Sequence, residues 1–593
     1  MDKELENKIL EELTDKQIQI TKELEKNFYV TACPGSGKTR TLTRKIAYLS
    51  NSFPNSLKKI IAITYTRRAA NEIAERLESL KVNEDHIWVG TIHQFCLDFI
   101  LRPFGLNMNR VSKGIKIIDE YVSEKYLLES AEEIGWSNYN KWTDKPNLRR
   151  NTSGKLFETD NNRLNLAQKY HEKLKEKNEI DFDLILTLSL KILEDQPVVA
   201  SIISKNIRSI LVDEFQDTNE FQYKIIGRLT NSNKNILCLF VGDSDQAIFT
   251  SLNGSVKSRE EVEELTGLDF RSLTLDGCFR SSQQIIDFYS NFQQSSYYIK
   301  SYSEYKDTIG CLDYRNNVTK GDLSSSISDI INEALEKGIP ESEICVVAPQ
   351  YYILSNVTKE LKVLLPGVNF RSQDIYPIKP DDLNIFFKIS FLIFTTSGER
   401  IKLRKIVANE IMFSLREAYG ITFDKEFTPL DFLDILNSTK SNSLEGIIYF
   451  EEKTRLLFSY LSIENENINL DFSTFLDKCL NRMKKNQLAE DIESFKAVYM
   501  TKTGINISTI HKVKGEEYEV VIGFGLLEGY IPNWGDIINM PDLHGISEAK
   551  KSIYVLASRA KRHLFLFSET GRTTTKGHNY CPTKALLQVM HVY

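Results

Sequence analysis

Short apolar runs alternate with amphipathic stretches over much of the chain. Phe28 to Ala32 is an apolar run that ends in a glycine-rich turn, and Lys38 to Ser50 then carries helical spacing. Ile60 to Thr64 predicts a second buried strand, and Arg67 to Leu80 a second amphipathic helix. The same grammar returns at Ile207 to Val212, Ile236 to Val241, Ile344 to Ala348, Val520 to Phe524 and His563 to Phe567. Strands alternating with helices predict βαβ units and parallel sheets. Residues 103–180 and 376–499 break the rhythm with long helical patterns and few strand signals, and read as helical insertions into α/β domains. The polar stretches Thr319 to Ser326 and Ser438 to Gly446 are expected to be loops.

Composition narrows the class. The 593 residues are 41% hydrophobic, with 75 Lys+Arg against 81 Asp+Glu and a formal charge of −6. That balance excludes a disordered or collagen-like chain, and leaves room for nucleic acid because a groove needs only local positive charge. No apolar run reaches the ~18 residues of a membrane span. The charged start, Met1 to Lys26, is expected not to be a secretory signal. The eight cysteines stand singly without a Cys-x-x-Cys pair, which argues against a metal cluster and suits a reducing cytoplasm.

The chemistry starts at Ala32-Cys-Pro-Gly35-Ser36-Gly37-Lys38-Thr39, between a strand and a helix. Apart from Ala at the first glycine, this is the phosphate-loop pattern. Its glycines let backbone N–H groups wrap phosphates, Lys38 would reach the β and γ phosphates, and Thr39 would bind Mg²⁺. A second carboxylate site is needed on a neighbouring strand, and Ile210-Leu-Val-Asp213-Glu214 supplies it. Asp213 would hold the metal and Glu214 would activate water.

The run Asp213-Glu-Phe-Gln-Asp-Thr218 resembles motif II of the superfamily 1A DNA helicases, the UvrD, Rep and PcrA family. Ten further blocks agree in order and spacing from about residue 13 to 567. Leu13-Thr-Asp-Lys-Gln17 resembles the Q motif, Ala32 to Arg44 motif I, and Ile61 to Ala70 motif Ia. Gly90-Thr91-Ile-His93 resembles the next DNA-contacting motif, and Asp181-Phe-Asp183-Leu the block that closes the first insertion. Val241 to Gln246 resembles motif III, Phe279-Arg280-Ser motif IV, and Thr509 to Tyr518 motif V. Leu527 to Pro532 resembles the element that follows, and Tyr554 to Lys561 motif VI.

The resemblance implies two RecA-like P-loop domains with parallel sheets, each with a helical insertion. They would be domain 1A over 1–102 and 181–279, insertion 1B over 103–180, domain 2A over 280–375 and 500–593, and insertion 2B over 376–499. It implies ATP in the cleft between the RecA-like domains. Gln17 would read adenine, Arg40 and Phe279 would stack on its faces, and Glu517 would accept from the ribose. Gln246 would sense the γ phosphate. Arg280 and Arg559 would stabilise its developing charge from the second domain. Thr64, Tyr65, Thr91, His93 and His511 fall where the family contacts single-stranded DNA. Tyr65 also reads as a core aromatic after a buried strand. Motif III departs from the family: it continues Ala247-Ile-Phe249-Thr-Ser251-Leu252, without the large base-stacking aromatic at 251 or 252. The basic stretch Lys141-Trp142 to Arg150 reads as a solvated face or a duplex contact.

The expected activity is ATP-dependent helicase or translocase movement, 3′ to 5′, on single strands and single/double-strand junctions, in DNA repair or phage defence. The alternative is a DNA-stimulated ATPase that serves a partner nuclease, as in Gabija-type defence.

Overall fold

A computed structural model describes residues 3–112, 114–141, 143–248, 256–372, 376–381, 383–395, 400–486, 488–499, 503–539, 544–574 and 576–590. Trp142, Phe249, Ser251 and Leu252 lie outside the described residues. The chain divides into two compact units. One holds residues 1–91, 204–372 and 502–593, and the other residues 92–203 and 373–501.

The first unit is built on two six-stranded parallel sheets. One runs, in spatial order, Ile87–Thr91, Lys59–Thr64, Ile207–Asp213, Leu237–Gly242, Asn27–Ala32 and Phe270–Leu275. The other runs Leu312–Arg315, Ala560–Phe567, Tyr518–Gly523, Ile344–Ala348, Ile505–Thr509 and Phe370–Arg371. The inner strands read as continuous apolar runs because helices cover both faces of a parallel sheet. Ile344–Ala348 is buried at all its positions. The fold is thus α/β with two RecA-like sheets. The apolar cluster of Cys33, Ile248, Cys278, Tyr289 and Tyr554 joins residues from both halves of this unit.

The second unit is helical. It includes Glu120–Glu133, Asn161–Glu176, Phe182–Asp195, Ile385–Phe394, Ile401–Tyr419, Gly446–Tyr460 and Glu466–Asn486. Its core is rich in aromatics, with Phe386, Phe450, Phe458, Phe472 and Phe475 in mutual ring contact. The boundaries of this unit lie at 91/92 and 203/204, where the sequence pattern suggested 102/103 and 180/181. The reason is packing: Phe182–Asp195 lies against the π-helical segment Cys96–Leu101, so both flanks of the first insertion join the helical unit.

The polar stretch expected to be a loop at Thr319 to Ser326 is a loop only as far as Asp322. Leu323–Glu336 is a helix, and its apolar Leu323, Ile327, Ile330 and Ile331 at helical spacing outweigh the serines. Likewise the loop expected over Ser438 to Gly446 is bounded by helices Pro429–Ser438 and Gly446–Tyr460. Among the described residues, no helix is long and apolar enough to cross a membrane, and no cluster of three or more His, Cys, Asp or Glu forms a metal site.

Candidate nucleotide cleft and strand-contact residues

The loop after Asn27–Ala32 turns on two left-handed glycines, Gly35 at φ 70° and Gly37 at φ 77°. Space compounds the constraint at Gly35, where a Cβ would come 2.7 Å from Arg280 Cβ and 2.9 Å from Cys278 Sγ. Phe279 N–H donates to the Gly35 carbonyl at 2.8 Å, so the segment bearing Phe279 and Arg280 is seated directly on the loop. Helix Lys38–Ser52 opens at Gly37 without a side-chain cap, and Ser36 Oγ is buried without a partner. An uncapped helix N-terminus behind two left-handed glycines is suited to an anion. Lys38 is buried at this opening and donates to the Cys33 carbonyl at 3.4 Å.

The acids converge on the same place from the neighbouring strand. Asp213 ends Ile207–Asp213, and Thr39 Oγ1 donates to its Oδ2 at 3.4 Å. Glu214 follows in the left-handed region at φ 55°, an uncommon conformation for a side-chain-bearing residue and one often seen at functional turns. Burial, with Glu214's charge adding to it, pushes the Asp213 carboxyl up to about 7, while Lys38 pulls the other way. Burial also works against the charge on Glu214, but Lys38, Lys514, a bond from Gln216 and Arg559 outweigh it and hold that carboxyl below the usual glutamate range. Thr39 and Asp213 thus form a paired oxygen donor set fit for a hard divalent cation.

The second sheet contributes cations. Arg559 is fully buried and donates to Gln246 Oε1 at 3.0 Å, to the Glu516 carbonyl at 3.2 Å and to the Val555 carbonyl at 3.0 Å. Burial and the nearby Arg280 lower its pKa to about 9. Gln246 Nε2 donates in turn to Asp243 Oδ2 at 2.7 Å, so Gln246 bridges Arg559 and an acid of the first sheet. Arg280 donates to Glu517 Oε2 at 2.8 Å and to the Ser558 carbonyl at 2.9 Å.

Two partners had no place in the sequence reading. Lys514 Nζ donates to both oxygens of Asp217, at 2.8 and 2.6 Å, and to the Gln246 carbonyl at 2.7 Å. This ion pair is buried and joins the two halves of the unit. Both residues lie inside family-like blocks, and block membership was the only signal that could have pointed to them.

Other expected residues make different contacts. Gln17 is buried; its Nε2 donates to the Ser36 carbonyl at 3.0 Å, and its Oε1 accepts from Thr14 N–H at 2.9 Å. It braces the loop in this structure. Arg40 is exposed and lies 3.6 Å from Glu12. Glu517, expected at a ribose, is the carboxylate partner of Arg280. Phe279 is partly exposed and stacks on Tyr302, with ring centroids 5.7 Å apart at 30°. Gly277 makes room for that ring, since a Cβ there would come within 2.9 Å of it.

Thr64 and Thr91 are register partners on adjacent strands, with Tyr65 next along the chain, so these three expected strand-contact residues lie together. Tyr65 is exposed at the end of Lys59–Thr64, and buried Thr64 donates from its hydroxyl to the Thr66 carbonyl at 2.9 Å. Thr91 closes the edge strand of the same sheet, and His511 is exposed with a hydrogen bond to the backbone of Ile248. His93 departs from the expectation. It belongs to the helical unit and stacks on Phe182 at 3.7 Å and 18°, with Nε2 buried. Burial pulls its pKa down to about 3, so the ring is a neutral packing element.

Comparison with known proteins agrees with this geometry. The UvrD/REP helicase N-terminal domain matches residues 13–264, and the UvrD-like helicase C-terminal domain matches residues 416–570. The ATP-dependent DNA helicase PcrA of Bacillus subtilis is 25% identical over 652 residues, which cover 96% of this chain and 84% of that protein. A probable DNA helicase II homolog of Mycoplasma capricolum is 26% identical over 636 residues, covering 94% and 84%. PcrA of Staphylococcus epidermidis is 23% identical over 634 residues, covering 95% and 84%. With a glycine loop and paired acids on one parallel sheet, a buried arginine beside the next, and both family domains matched in order, the chain belongs to the UvrD/Rep/PcrA family of superfamily 1A helicases.

Proposed function

We propose that this chain is an ATP-dependent DNA helicase that hydrolyses ATP in the cleft between its two parallel sheets and uses the cycle to move 3′ to 5′ on single-stranded DNA. The observation that carries the reading is the joint made by Arg559, Gln246 and Asp243, which links a buried cation of one sheet to the acids of the other.

Roles follow from charge and position. Lys38, the Gly35–Gly37 turn and the uncapped helix opening would receive the β and γ phosphates. Thr39 and Asp213 would hold Mg²⁺, which when bound neutralises charge on the phosphates. Glu214, held ionised by Lys38, Lys514 and Arg559, is the acceptor for the proton of the attacking water. Arg559 and Arg280 oppose the charge that grows on the transferred phosphoryl group. Gln246 would exchange its contact with Arg559 for the γ phosphate, so that nucleotide state alters the joint between the sheets. Tyr65, exposed at a strand end beside Thr64, offers a ring for a base, and a stacked base is worth ~1–3 kcal/mol.

The test is ATP hydrolysis with and without single-stranded DNA, run beside unwinding of duplexes carrying either a 3′ or a 5′ tail. Stimulated hydrolysis and unwinding from the 3′ tail alone is the expected result. Unwinding from the 5′ tail would overturn the polarity. Stimulated hydrolysis with no unwinding would favour a DNA-sensing ATPase, and hydrolysis indifferent to DNA would overturn the coupling.

A further inference from the structure

The loop before strand Tyr518–Gly523 holds Glu516, whose main chain and side chain serve different partners. Its carbonyl accepts from Arg559 Nη1 at 3.2 Å, in the nucleotide cleft. Its carboxylate is buried and pairs with Arg68, on helix Arg67–Ser79 of the first sheet. The same carboxylate accepts from Asn506 Nδ2 at 3.2 Å and Arg371 Nη2 at 3.4 Å, and from the Tyr518 hydroxyl. Arg371, Asn506 and Tyr518 all belong to strands of the second sheet. Glu516 is therefore fixed to the second sheet on one side and holds Arg68 on the other.

Arg68 stands three residues after Tyr65, in the turn and helix that follow the strand Lys59–Thr64. We infer that Glu516 is a positioning residue that couples the nucleotide cleft to the strand-contact segment around Thr64 and Tyr65. A buried carboxylate locked by three donors of one sheet can hold Arg68 only at a narrow range of spacings between the sheets. Movement of Arg559 on nucleotide binding shifts the Glu516 main chain, and the Arg68 pair carries that shift to the helix after Tyr65. The inference rests on the proposed DNA-stimulated hydrolysis and adds the residue pair that transmits it.

The experiment measures hydrolysis against oligothymidine concentration for wild type, Arg68→Ala, Arg68→Lys, Glu516→Gln and the Arg68→Ala/Glu516→Gln double variant. The Arg68 side chain is largely exposed, so Arg68→Ala is expected to fold even where Glu516→Gln does not. Hydrolysis by Arg68→Ala without DNA should match wild type. Its maximal stimulation should fall by at least about fivefold, the lower end of ordinary coupling between sites, with the half-stimulating DNA concentration unchanged. Arg68→Lys should recover part of the stimulation, and the double variant should be no worse than the weaker single one. A loss confined to the half-stimulating concentration would make Arg68 a DNA contact and overturn the coupling, as would full stimulation in Arg68→Ala. A wild type that DNA does not stimulate would overturn the proposed function itself, and the coupling with it.

Discussion

The two parallel sheets of the first unit share a grammar and differ in chemistry. In the first, strand Asn27–Ala32 passes into a turn with left-handed Gly35 and Gly37 and an uncapped helix opening. In the second, strand Ile344–Ala348 passes through Pro349 and Gln350 into helix Tyr351–Leu364. Gln350 is extended, and the connection has no glycine to let a backbone wrap a phosphate. The first sheet also carries the acids Asp213, Glu214, Asp217 and Asp243, while the second supplies Lys514 and Arg559 and, from the segment leading into it, Arg280. The same βα unit thus carries a left-handed glycine turn at an uncapped helix opening in one half and a glycine-free passage in the other. Buried charges of the two halves also meet each other, as Lys514 meets Asp217, because a buried charge needs a partner.

The sharpest break in this asymmetry comes from the acids. Glu214→Gln should cut turnover by about 10²–10⁴-fold, the usual contribution of a general base, with ATP-analogue binding preserved. Lys38→Ala should lose turnover and weaken nucleotide binding together. Equal turnover in wild type and either variant would remove the first sheet from the chemistry.

The cations come next. Arg559→Ala and Arg280→Ala should each slow hydrolysis by about 10³-fold or more while nucleotide-free DNA binding persists. Arg559 should also show a non-additive effect with Gln246→Ala in a double-mutant cycle, because the two side chains are hydrogen-bonded. Additive effects would mean that the second sheet acts without that joint.

The helical unit offers a contrast in His93, one of its two histidines, whose Nε2 is buried beside the ring of Phe182. The folded pKa of His93 is depressed to about 3, so its contribution is fully present above the unfolded value near 6.5 and is lost as pH falls toward the folded value. From about pH 6.5 downward the unfolded chain binds the proton first, and stability should fall by up to about 1.4 kcal/mol per pH unit from this group. Urea unfolding of wild type and His93→Gln at pH 7 and pH 5 should show a shallower pH dependence in the variant; parallel curves would contradict the assignment.

Smaller effects concern the rings. Tyr65→Ala should weaken single-strand binding by ~1–3 kcal/mol, and Ser251→Trp should strengthen it by no more than that range if the new ring reaches a base. In the segment leading into the second sheet, Tyr302→Ala should raise the KM for ATP with little change in kcat, through loss of the Phe279 stack worth about 0.5–1.5 kcal/mol, and Tyr302→Phe should restore it. An unaltered KM in Tyr302→Ala would leave the stack without a part in nucleotide binding.

Much of the architecture was legible before any coordinate. Buried strands such as Ile344–Ala348 announce themselves as unbroken apolar runs. Edge strands do not: Phe270–Leu275 is exposed at its second and third positions, and Leu312–Arg315 is half-buried throughout, so neither has the apolar run that marks a central strand. The loop expected at Thr319 to Ser326 failed for a related reason, because local polarity hid the apolar face that begins at Leu323.

What the sequence determined by itself was local chemistry. A glycine turn, an acid at a strand end and a capping residue act within a few positions, so their spacing along the chain is their geometry in space. Tertiary structure alone decided which distant charges meet. Lys514 finds Asp217 across 297 positions, Arg559 finds Gln246 across 313, and Arg68 finds Glu516 across 448. It also decided that His93 is covered by Phe182 and that Gln17 grips the phosphate loop. The physical reason is that a buried charge is tolerated only where the fold delivers its partner, and no pattern of neighbouring residues encodes that delivery.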